Sequence, residues 1–352
     1  MRNEIADLFR HDGPFTSVYL DAQSDQPQAQ QALETHWKSA RAALAAEGAT
    51  DDDLAAIDRA VADRTHIGGD TLAVIAAGGD VLLARHLPEP PRADGWRLGL
   101  LPWVGPLVET AQTLLPHVIV IAERNGADIY GFDASGRAVE EEVLTATNEN
   151  VELINAGGWS QRRYERRQVN TWEENAREVA DEVASIAKQV GAHVIGVRGD
   201  VHAVRLLQDA LPVEVAPLMR SLDDHGVGEP TRLVDTVVAE ETVALLERFK
   251  EELGQGARAV DGPKQTVEAL QKANVDTLLV HDDPADGRTA WFGADPVHLA
   301  LDEATMKTIG AEQPHPARLI DVCLRAAYGT SAEVRVVPSA VITNGLAALL
   351  RW

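Results

Sequence analysis

The chain has 352 residues, of which 45% are hydrophobic, and this length predicts two or three domains rather than one. Its formal net charge of -23 excludes general attraction to nucleic acid or anionic membranes, so any nucleic-acid contact must come from a local basic cluster. The single cysteine, Cys323, excludes a disulfide framework and a cysteine-based zinc site, and the lack of a signal-length or membrane-length apolar run predicts a soluble, cytoplasmic protein.

The first block, residues 1–115, has the pattern of an α+β domain. A strand, two helices and a hairpin are predicted in it, over 15–21, 27–47, 51–63 and 71–87. Three aspartates, Asp51 to Asp53, open the second helix, where capping and dipole pairing explain them better than a metal site does. The Pro-rich stretch 88–106 is interpreted as a connector that leaves this domain.

The second block, residues 116–256, alternates strands with helices. The predicted strands are 118–121, 127–132 and 194–197, and the predicted helices are 172–190, 201–211 and 231–253. The dipeptide Asn125-Gly126 predicts a tight turn between the first two strands. The first helix has one apolar face, and Gly191 is predicted to end it. This face is made by Trp172, Ala176, Val179, Val183, Ile186 and Val190.

The third block, residues 257–352, is predicted to be an α/β layered unit. Its predicted helices and strands cover 262–273, 316–328, 275–280 and 334–337. His281, Asp282 and Asp283 have the composition of a metal cluster, but a polar loop after a strand is the preferred interpretation. Residues 254–259 loosely mimic a dinucleotide-binding fingerprint, but they follow a helix, so a linker is preferred. We therefore expect no cofactor and no metal.

A basic stretch at residues 157–177 stands out in this acidic chain. A helix that begins near Ser160 would place four arginines in two pairs one turn apart, with Arg177 near the same face: Arg162 with Arg166, and Arg163 with Arg167. In front of them, Gly157 and Gly158 allow left-handed turns beside the indole of Trp159. Guanidinium groups bind phosphates and an indole can stack on a base, so the pattern suits a loop inserted into structured RNA.

A structural interpretation of the same stretch stays open. Arg166 and Arg177 could pair with Glu173 and Glu174 across helix turns, with each pair contributing about 0.2–0.5 kcal/mol. Trp159 could equally be a core residue that covers the glycine turn.

The tip Gly157-Gly158-Trp159-Ser160 resembles the Gly-Gly-Gln-Ser tip in the middle domain of archaeal and eukaryotic class-one peptide release factors. Arg163-Tyr164 stands where that family has Arg-Phe, and Arg177-Glu178-Val179-Ala180 matches its Arg-x-Val-Ala helix end. The upstream hairpin, 118–132, fits the strand pair that precedes the tip in that family.

The third block is similar to the C-terminal domain of the same family and of Pelota, through residues 262–280 and the ending 344–352. The first block lacks a stop-codon loop, and its opening, 13–21, instead resembles the actinobacterial branch of bacterial release-factor-like proteins, which is related to the ribosome hibernation factor Balon. The resemblance implies a three-domain release-factor-like architecture of α/β and α+β type with a divergent N-terminal domain, and it covers 116–352.

The resemblance implies binding to the 70S ribosome, in the A site, with the tip toward the peptidyl-transferase centre. Trp159 stands in place of the catalytic glutamine and offers one N–H donor and no acceptor, so we expect a non-catalytic factor that acts in ribosome hibernation under stress or dormancy. The residues expected to contact 23S rRNA are Gly157, Gly158, Trp159, Ser160, Gln161, Arg162, Arg163, Arg166, Arg167 and Arg177. A translational GTPase such as EF-Tu is a further expected partner.

Two other functions remain open. One is a ribosome-rescue enzyme that hydrolyses peptidyl-tRNA or tRNA, for which Gln161 or a distant residue would have to position the water. The other is an acidic interaction protein that has kept the fold but left the ribosome, which the net charge of -23 favours.

Overall fold

A computed structural model of the protein describes residues 1–22, 29–63, 71–88, 95–123, 126–134, 138–144, 172–222, 229–256 and 258–352. Its α-helices in these ranges, α1 to α10, are Arg2–Leu8, Ala29–Glu47, Asp51–Ala62, Gly105–Thr113, Trp172–Val190, Val201–Ala210, Glu229–Gly254, Pro263–Gln271, Glu303–Thr308 and Leu319–Gly329. Its strands, β1 to β16, are Phe15–Asp21, Thr71–Ala77, Asp80–Leu87, Gly95–Gly99, His117–Glu123, Gly126–Phe132, Ala138–Leu144, Val194–Gly199, Met219–Ser221, Ala259–Asp261, Val275–Val280, Thr289–Phe292, Leu299–Ala300, His315–Arg318, Glu333–Val336 and Leu346–Leu350. No helix in the described ranges is both long and apolar enough to cross a lipid bilayer.

The chain forms two units. The first unit comprises residues 1–112 and 244–352, and the second unit comprises residues 113–243. The first unit holds three sheets and the second holds one, and helices pack on them, so the predicted mixed α/β and α+β class is confirmed. The predicted domain limits at 115/116 and 256/257 stay a prediction.

The first sheet of the first unit has the strand order β3-β2-β1-β4, and its three strand pairings are antiparallel. Side chains alternate along β1: Val18 and Leu20 face α2 and α3, whereas Phe15 and Tyr19 enter the main core on the other side. The Thr50 side chain accepts a hydrogen bond from Asp53 N, so the capping interpretation of the acidic helix start is confirmed.

The interpretation of residues 88–106 as a connector was wrong in its second half. Residues 95–99 form β4, which pairs with β1, and Leu101, Trp103 and Val104 are buried beyond it. β4 contains no proline, and it lies at the sheet edge, so the prolines around it do not interrupt the hydrogen-bond ladder. Pro106 lies in the first turn of α4, where its missing N–H has no helical partner to lose.

The last part of the first unit contains a mixed sheet and a small antiparallel one. The orders are β10-β16-β11-β15 and β13-β12-β14, and β11 pairs parallel with β15 and antiparallel with β16. The helix predicted from residue 316 begins at Leu319 instead. Pro316 lies in β14 opposite Trp291, because extended backbone up to Arg318 precedes the helix.

Residues from both ends of the chain share one hydrophobic core in the first unit. This core joins side chains of α1, β1 and α4 to side chains of α8, β11 and α10. The Gln112 amide adds two hydrogen bonds to the backbone of Val336. Its Nε2 donates to Val336 O at 3.0 Å, and its Oε1 accepts from Val336 N at 2.9 Å. Because burial of apolar surface is the main favourable term in folding, we infer that residues 1–112 and 244–352 stabilise each other.

The second unit is a five-stranded sheet with the order β7-β6-β5-β8-β9. The hairpin β5-β6 and the parallel pairing of β5 with β8 produce an α/β arrangement in which α5 and α6 pack on one face. The predicted apolar face of α5 is confirmed at four of its residues, which are buried: Ala176, Val179, Val183 and Ile186. Gly191 ends α5 with φ +68°, the left-handed conformation expected there.

Candidate functional site

The predicted RNA-binding tip lies outside the described residues. Nine of the ten predicted contact residues are in the tip segment, defined as residues 145–171, and only Arg177 is in the described part of the chain. The structure does, however, describe the elements on both sides of the tip segment, β7 and α5.

The tip segment begins at a defined edge of the second-unit sheet. Leu144, the last residue of β7, pairs with Ala127, and Ala127 pairs with Ala122 near the end of β5. Ala122 in turn pairs with Gly199, the last residue of β8. Leu144 therefore lies at the edge where β5 and β8 end.

The residue after the tip segment, Trp172, lies at the same edge. The connection from α5 to β8 is short, and His193 within it donates a hydrogen bond to Pro116 O beside the start of β5. The helix therefore ends near the start of β8 and runs antiparallel to it. Since α5 spans about 28 Å at 1.5 Å per residue, its first turn reaches the opposite edge.

Arg177 lies in the second turn of α5, close to this edge. Its neighbours Ala176 and Val179 are buried, whereas Arg177 itself is exposed. No ion pair of Arg177 occurs among the side chains that the structure describes, and the side chains of Glu173 and Glu174 lie outside that set.

A second cluster of functional groups, which the sequence did not predict, is buried in the first unit. We call Arg97, Asp282, Arg318 and Asp321 the charge cluster. Arg318 lies at its centre: it donates to Asp282 Oδ1, to Asp321 Oδ1 at 3.2 Å, and to the carbonyl oxygens of Asp283 and Asp286 at 2.7 Å and 3.2 Å. Only 7% of the Arg318 side chain is exposed.

Trp103 and Gly105 hold the charge cluster from the side of the first block. Trp103 Nε1 donates to Asp282 Oδ2 at 3.0 Å, and Arg97 lies over the Trp103 ring, with its guanidinium carbon 4.9 Å from the ring centroid. A Cβ atom on Gly105 would overlap the Asp282 carboxylate, so the absence of a side chain lets this carboxylate approach α4.

Burial shifts the pKa values of the charge cluster. It raises the pKa of Asp321 to about 7, and the Asp282 charge adds to this effect, whereas Arg318 opposes it. Burial lowers the pKa of Arg97, and the charge of Arg318 lowers it further. For Arg318 burial alone would lower the pKa, but the carboxylates of Asp321 and Asp282 outweigh it, so its pKa is raised.

The stretch His281 to Asp283 is a loop after β11, as the sequence analysis predicted. Asp282, however, is buried rather than exposed to solvent. His281 Nδ1 contacts Val337 O at 3.1 Å, and Asp283 accepts from Ala285 N at 2.9 Å, so the three side chains serve different partners. Within the described residues no group of three potential metal ligands converges. Apart from the spacing of Arg318 and Asp321, no sequence pattern indicates the charge cluster, because its members come from distant parts of the chain.

A cleft of about 530 Å³ lies beside the charge cluster, within the first unit. Strand β4, the loop after β11 and strand β14 line it. Leu100 and Leu101 contribute apolar surface, whereas Arg97, Asp286, Thr289, Arg318 and Asp321 contribute polar groups.

Most of the second unit, together with the end of α7, matches a known protein family. Residues 116–255 match bacterial archaeo-eukaryotic release factor family 2. Along its whole length the chain is similar to Uncharacterized protein Rv2629 of Mycobacterium tuberculosis, with 27% identity over 100% of this chain and 97% of the relative.

Solved structures of archaeal factors are also similar. The archaeal translation termination factor aRF1 has 17% identity and a TM-score of 0.23 over 100% of this chain and 98% of its own. Pelota of Archaeoglobus fulgidus has 19% identity and a TM-score of 0.29 over 68% of this chain and 65% of its own. Both TM-scores are low, so the assignment depends on the sequence match. Through residues 116–255, this chain is similar to the bacterial relatives of the archaeal and eukaryotic release factors.

Proposed function

We propose that this protein is a non-catalytic ribosome-binding factor that occupies the vacant A site of the 70S ribosome. Its Gly-Gly-Trp tip, Gly157 to Trp159, would lie toward the peptidyl-transferase centre and contact 23S rRNA. The corresponding cellular role is cytoplasmic ribosome hibernation under stress or dormancy. The family match over 116–255 carries the proposal, because this range contains the tip and the basic run behind it.

The basic run supplies the attraction to RNA that the rest of the chain lacks. Arg162, Arg163, Arg166 and Arg167 would bind phosphates, for which the guanidinium fork is suited. Both residues that border the tip segment lie at one sheet edge, and exposed Arg177 lies close to it. This placement supports a single contact surface that extends from the tip to the start of α5.

Trp159 is the reason for proposing a binding rather than a hydrolytic role. Hydrolysis of a peptidyl-tRNA ester needs a group that positions water, and an indole has one N–H donor and no acceptor. Stacking on a nucleobase is the interaction that an indole provides best, at about 1–3 kcal/mol per base. Ser160 and Gln161 would add hydrogen bonds to RNA beside it. A translational GTPase such as EF-Tu is proposed as a partner of the last block, 257–352.

Charge reversal in the basic run tests the RNA contact. We expect Arg162→Glu combined with Arg166→Glu to weaken ribosome binding about 100-fold, since each lost charge-assisted bond contributes about 1.5 kcal/mol. The matched control is Lys188→Glu with Lys250→Glu, which makes the same charge change at two exposed helix positions in the described structure. Equal weakening by both pairs would mean that only net charge matters.

Restoring glutamine tests the non-catalytic assignment. We expect the wild-type protein to release no peptide from ribosomes that carry peptidyl-tRNA, and the Trp159→Gln variant to gain measurable release if the tip occupies the release-factor position. Release by the wild-type protein would support the rescue-hydrolase alternative. Gln161→Ala in the wild-type background would then show whether Gln161 positions the water.

A further inference from the structure

The cleft beside the charge cluster has the make-up of a small-molecule site. Its volume of about 530 Å³ falls in the range of such sites. Apolar surface from Leu100 and Leu101 adjoins polar groups from Arg97, Asp286, Thr289, Arg318 and Asp321. An apolar patch beside converging polar groups is the usual composition of a site that orients a small organic ligand.

Arg97 has donors without partners in this cleft. Its Nη2 donates to Pro284 O at 3.0 Å, and its Nη1 is 3.9 Å from Asp321 Oδ2, beyond hydrogen-bond distance. The structure describes no other hydrogen bond of its side chain, of which 23% is exposed. By contrast, Arg318 makes bonds to two carboxylates and two carbonyl oxygens. Arg97 is therefore the guanidinium of the charge cluster that can accept a further anion.

Two features around Arg97 favour an added negative charge. Burial and the neighbouring charge of Arg318 both lower the pKa of Arg97, and a bound anion would offset both effects. The carboxylates of Asp321 and Asp282 act in the opposite direction and raise this pKa, so protonation of Asp321 would strengthen the attraction of the site for an anion. Stacking on the Trp103 ring and the bond to Pro284 O fix the guanidinium plane before a ligand arrives. A fixed plane reduces the entropy lost when an oxyanion binds in a two-pronged manner.

We propose that this cleft binds a small organic anion, whose carboxylate or phosphate group pairs with Arg97 and whose apolar body lies on Leu100 and Leu101. The Thr289 hydroxyl, which has no hydrogen-bond partner in the described structure, supplies a further polar contact. This site is in the first unit and is separate from the proposed ribosome contact, so either can fail without the other.

Protonation of the Asp321 carboxyl should make binding of the anion depend on pH. Its carboxyl has a pKa of about 7, so near neutrality it readily takes up a proton and can then donate a hydrogen bond to the anion. An anion beside it favours the protonated form, and binding therefore strengthens as the pH falls through 7. The other titratable and charged groups around it are Arg97 on β4, Asp282 after β11, Asp286 and Arg288 in the following loop, Arg318 and Cys323 at α10, and Tyr19 on β1.

Calorimetric titration of the full chain with benzoate and with phenyl phosphate tests the proposal. Both probes have one apolar ring and differ in the anionic group, so they show which group the cleft takes, and sodium chloride at equal ionic strength gives the background. We expect saturable binding of at least one probe with a Kd of about 1 mM or lower. For benzoate we expect binding about tenfold weaker at about pH 8 than at about pH 6.

Three variants in the cleft and one control identify the site. Arg97→Gln should weaken binding about tenfold or more, whereas Arg85→Gln, at a partly buried arginine on another edge strand of the same sheet, should leave it unchanged. If Arg97→Gln does not fold, Arg97→Lys keeps the charge and should still weaken binding, because lysine lacks the planar fork. Asp321→Asn should abolish the pH dependence. Absence of saturable binding, or equal affinity in the wild-type and Arg97 variants, would overturn the proposal.

Discussion

At the residue scale, the charge cluster shows what a buried arginine requires. Arg318 is almost fully buried, and two carboxylates and two carbonyl oxygens accept its hydrogen bonds. Removing such a group costs more than the net contribution of the pair, because the carboxylates are left buried without a partner. Burial of the Arg318 guanidinium thus depends on all of its hydrogen-bond acceptors, which come from separate parts of the chain.

Replacement of Arg318 should therefore be severe. We expect Arg318→Gln to lower the free energy of unfolding of the first unit by about 3–5 kcal/mol. Urea unfolding followed by tryptophan fluorescence measures this, because Trp37, Trp96, Trp103, Trp291 and Trp352 all lie in the first unit. The control is Arg248→Gln, which breaks an exposed 3.7 Å pair with Asp276 and should cost at most about 1 kcal/mol. Similar costs for the two variants would contradict this account.

Asp321 should make the stability of the first unit depend on pH. Its pKa is about 7 in the fold and 3.8 as the ordinary value, so its stabilising contribution is complete below pH 3.8 and is lost as the pH rises to 7. We expect the wild type to lose about 2–3 kcal/mol from this group between about pH 5 and about pH 8, and Asp321→Asn to lack this loss. Unfolding curves at both pH values measure it, and parallel pH profiles for the two proteins would refute it.

Gly105 should tolerate no side chain. A Cβ atom there would overlap the Asp282 carboxylate, so we expect Gly105→Ala to destabilise the first unit by about 1–3 kcal/mol. Gly254, at the end of α7, is the control, because a Cβ atom on it meets nothing within 4 Å. Urea unfolding of Gly105→Ala and Gly254→Ala compares them, and a Gly105→Ala variant as stable as the wild type would show that the overlap relaxes freely.

At the element scale, local patterns predicted most helices and strands well. The strand at 15–21 and the hairpin at 71–87 follow from alternation and a Gly-Gly turn, and the α5 face follows from a period of three and four. Elements defined by distant partners were missed, such as β4, which becomes a strand by pairing with β1. The charge cluster escaped prediction for the same reason, whereas the tip motif is contiguous in sequence and could be proposed from the residues alone; its role stays a prediction.

The packing of α6 on the second-unit sheet gives a prediction at this scale. Leu207 is fully buried in the core beneath α5 and α6, so we expect Leu207→Ala to cost about 2–5 kcal/mol. Val201 on the same helix is 85% exposed, and Val201→Ala should change stability by less than about 0.5 kcal/mol. Hydrogen exchange of the α5 and β8 amides measures the effect of both variants. Unchanged exchange in Leu207→Ala would contradict the packing of Leu207 in this core.

At the scale of the whole molecule, the two ends of the chain belong to one compact unit. The main core of the first unit takes side chains from both 1–108 and 267–348. We expect a fragment of residues 1–112 to be largely unfolded alone and to gain structure when the fragment 244–352 is added. Circular dichroism of each fragment and of their mixture measures this, and a cooperative unfolding transition of 1–112 alone would contradict the shared core.

The net charge of the whole chain limits which of its residues could support the proposed binding to the ribosome. A chain with a net charge of -23 gains no general affinity for RNA, so binding must depend on the basic run and on salt. Co-sedimentation of the purified protein with vacant 70S ribosomes at about 50 and about 200 mM salt, with imaging of the pellet, is the most direct test of the proposed function. We predict binding that weakens steeply with salt, with the protein in the A site and its tip toward the peptidyl-transferase centre. Absence of binding at either salt, or binding outside the A site, would contradict the proposal.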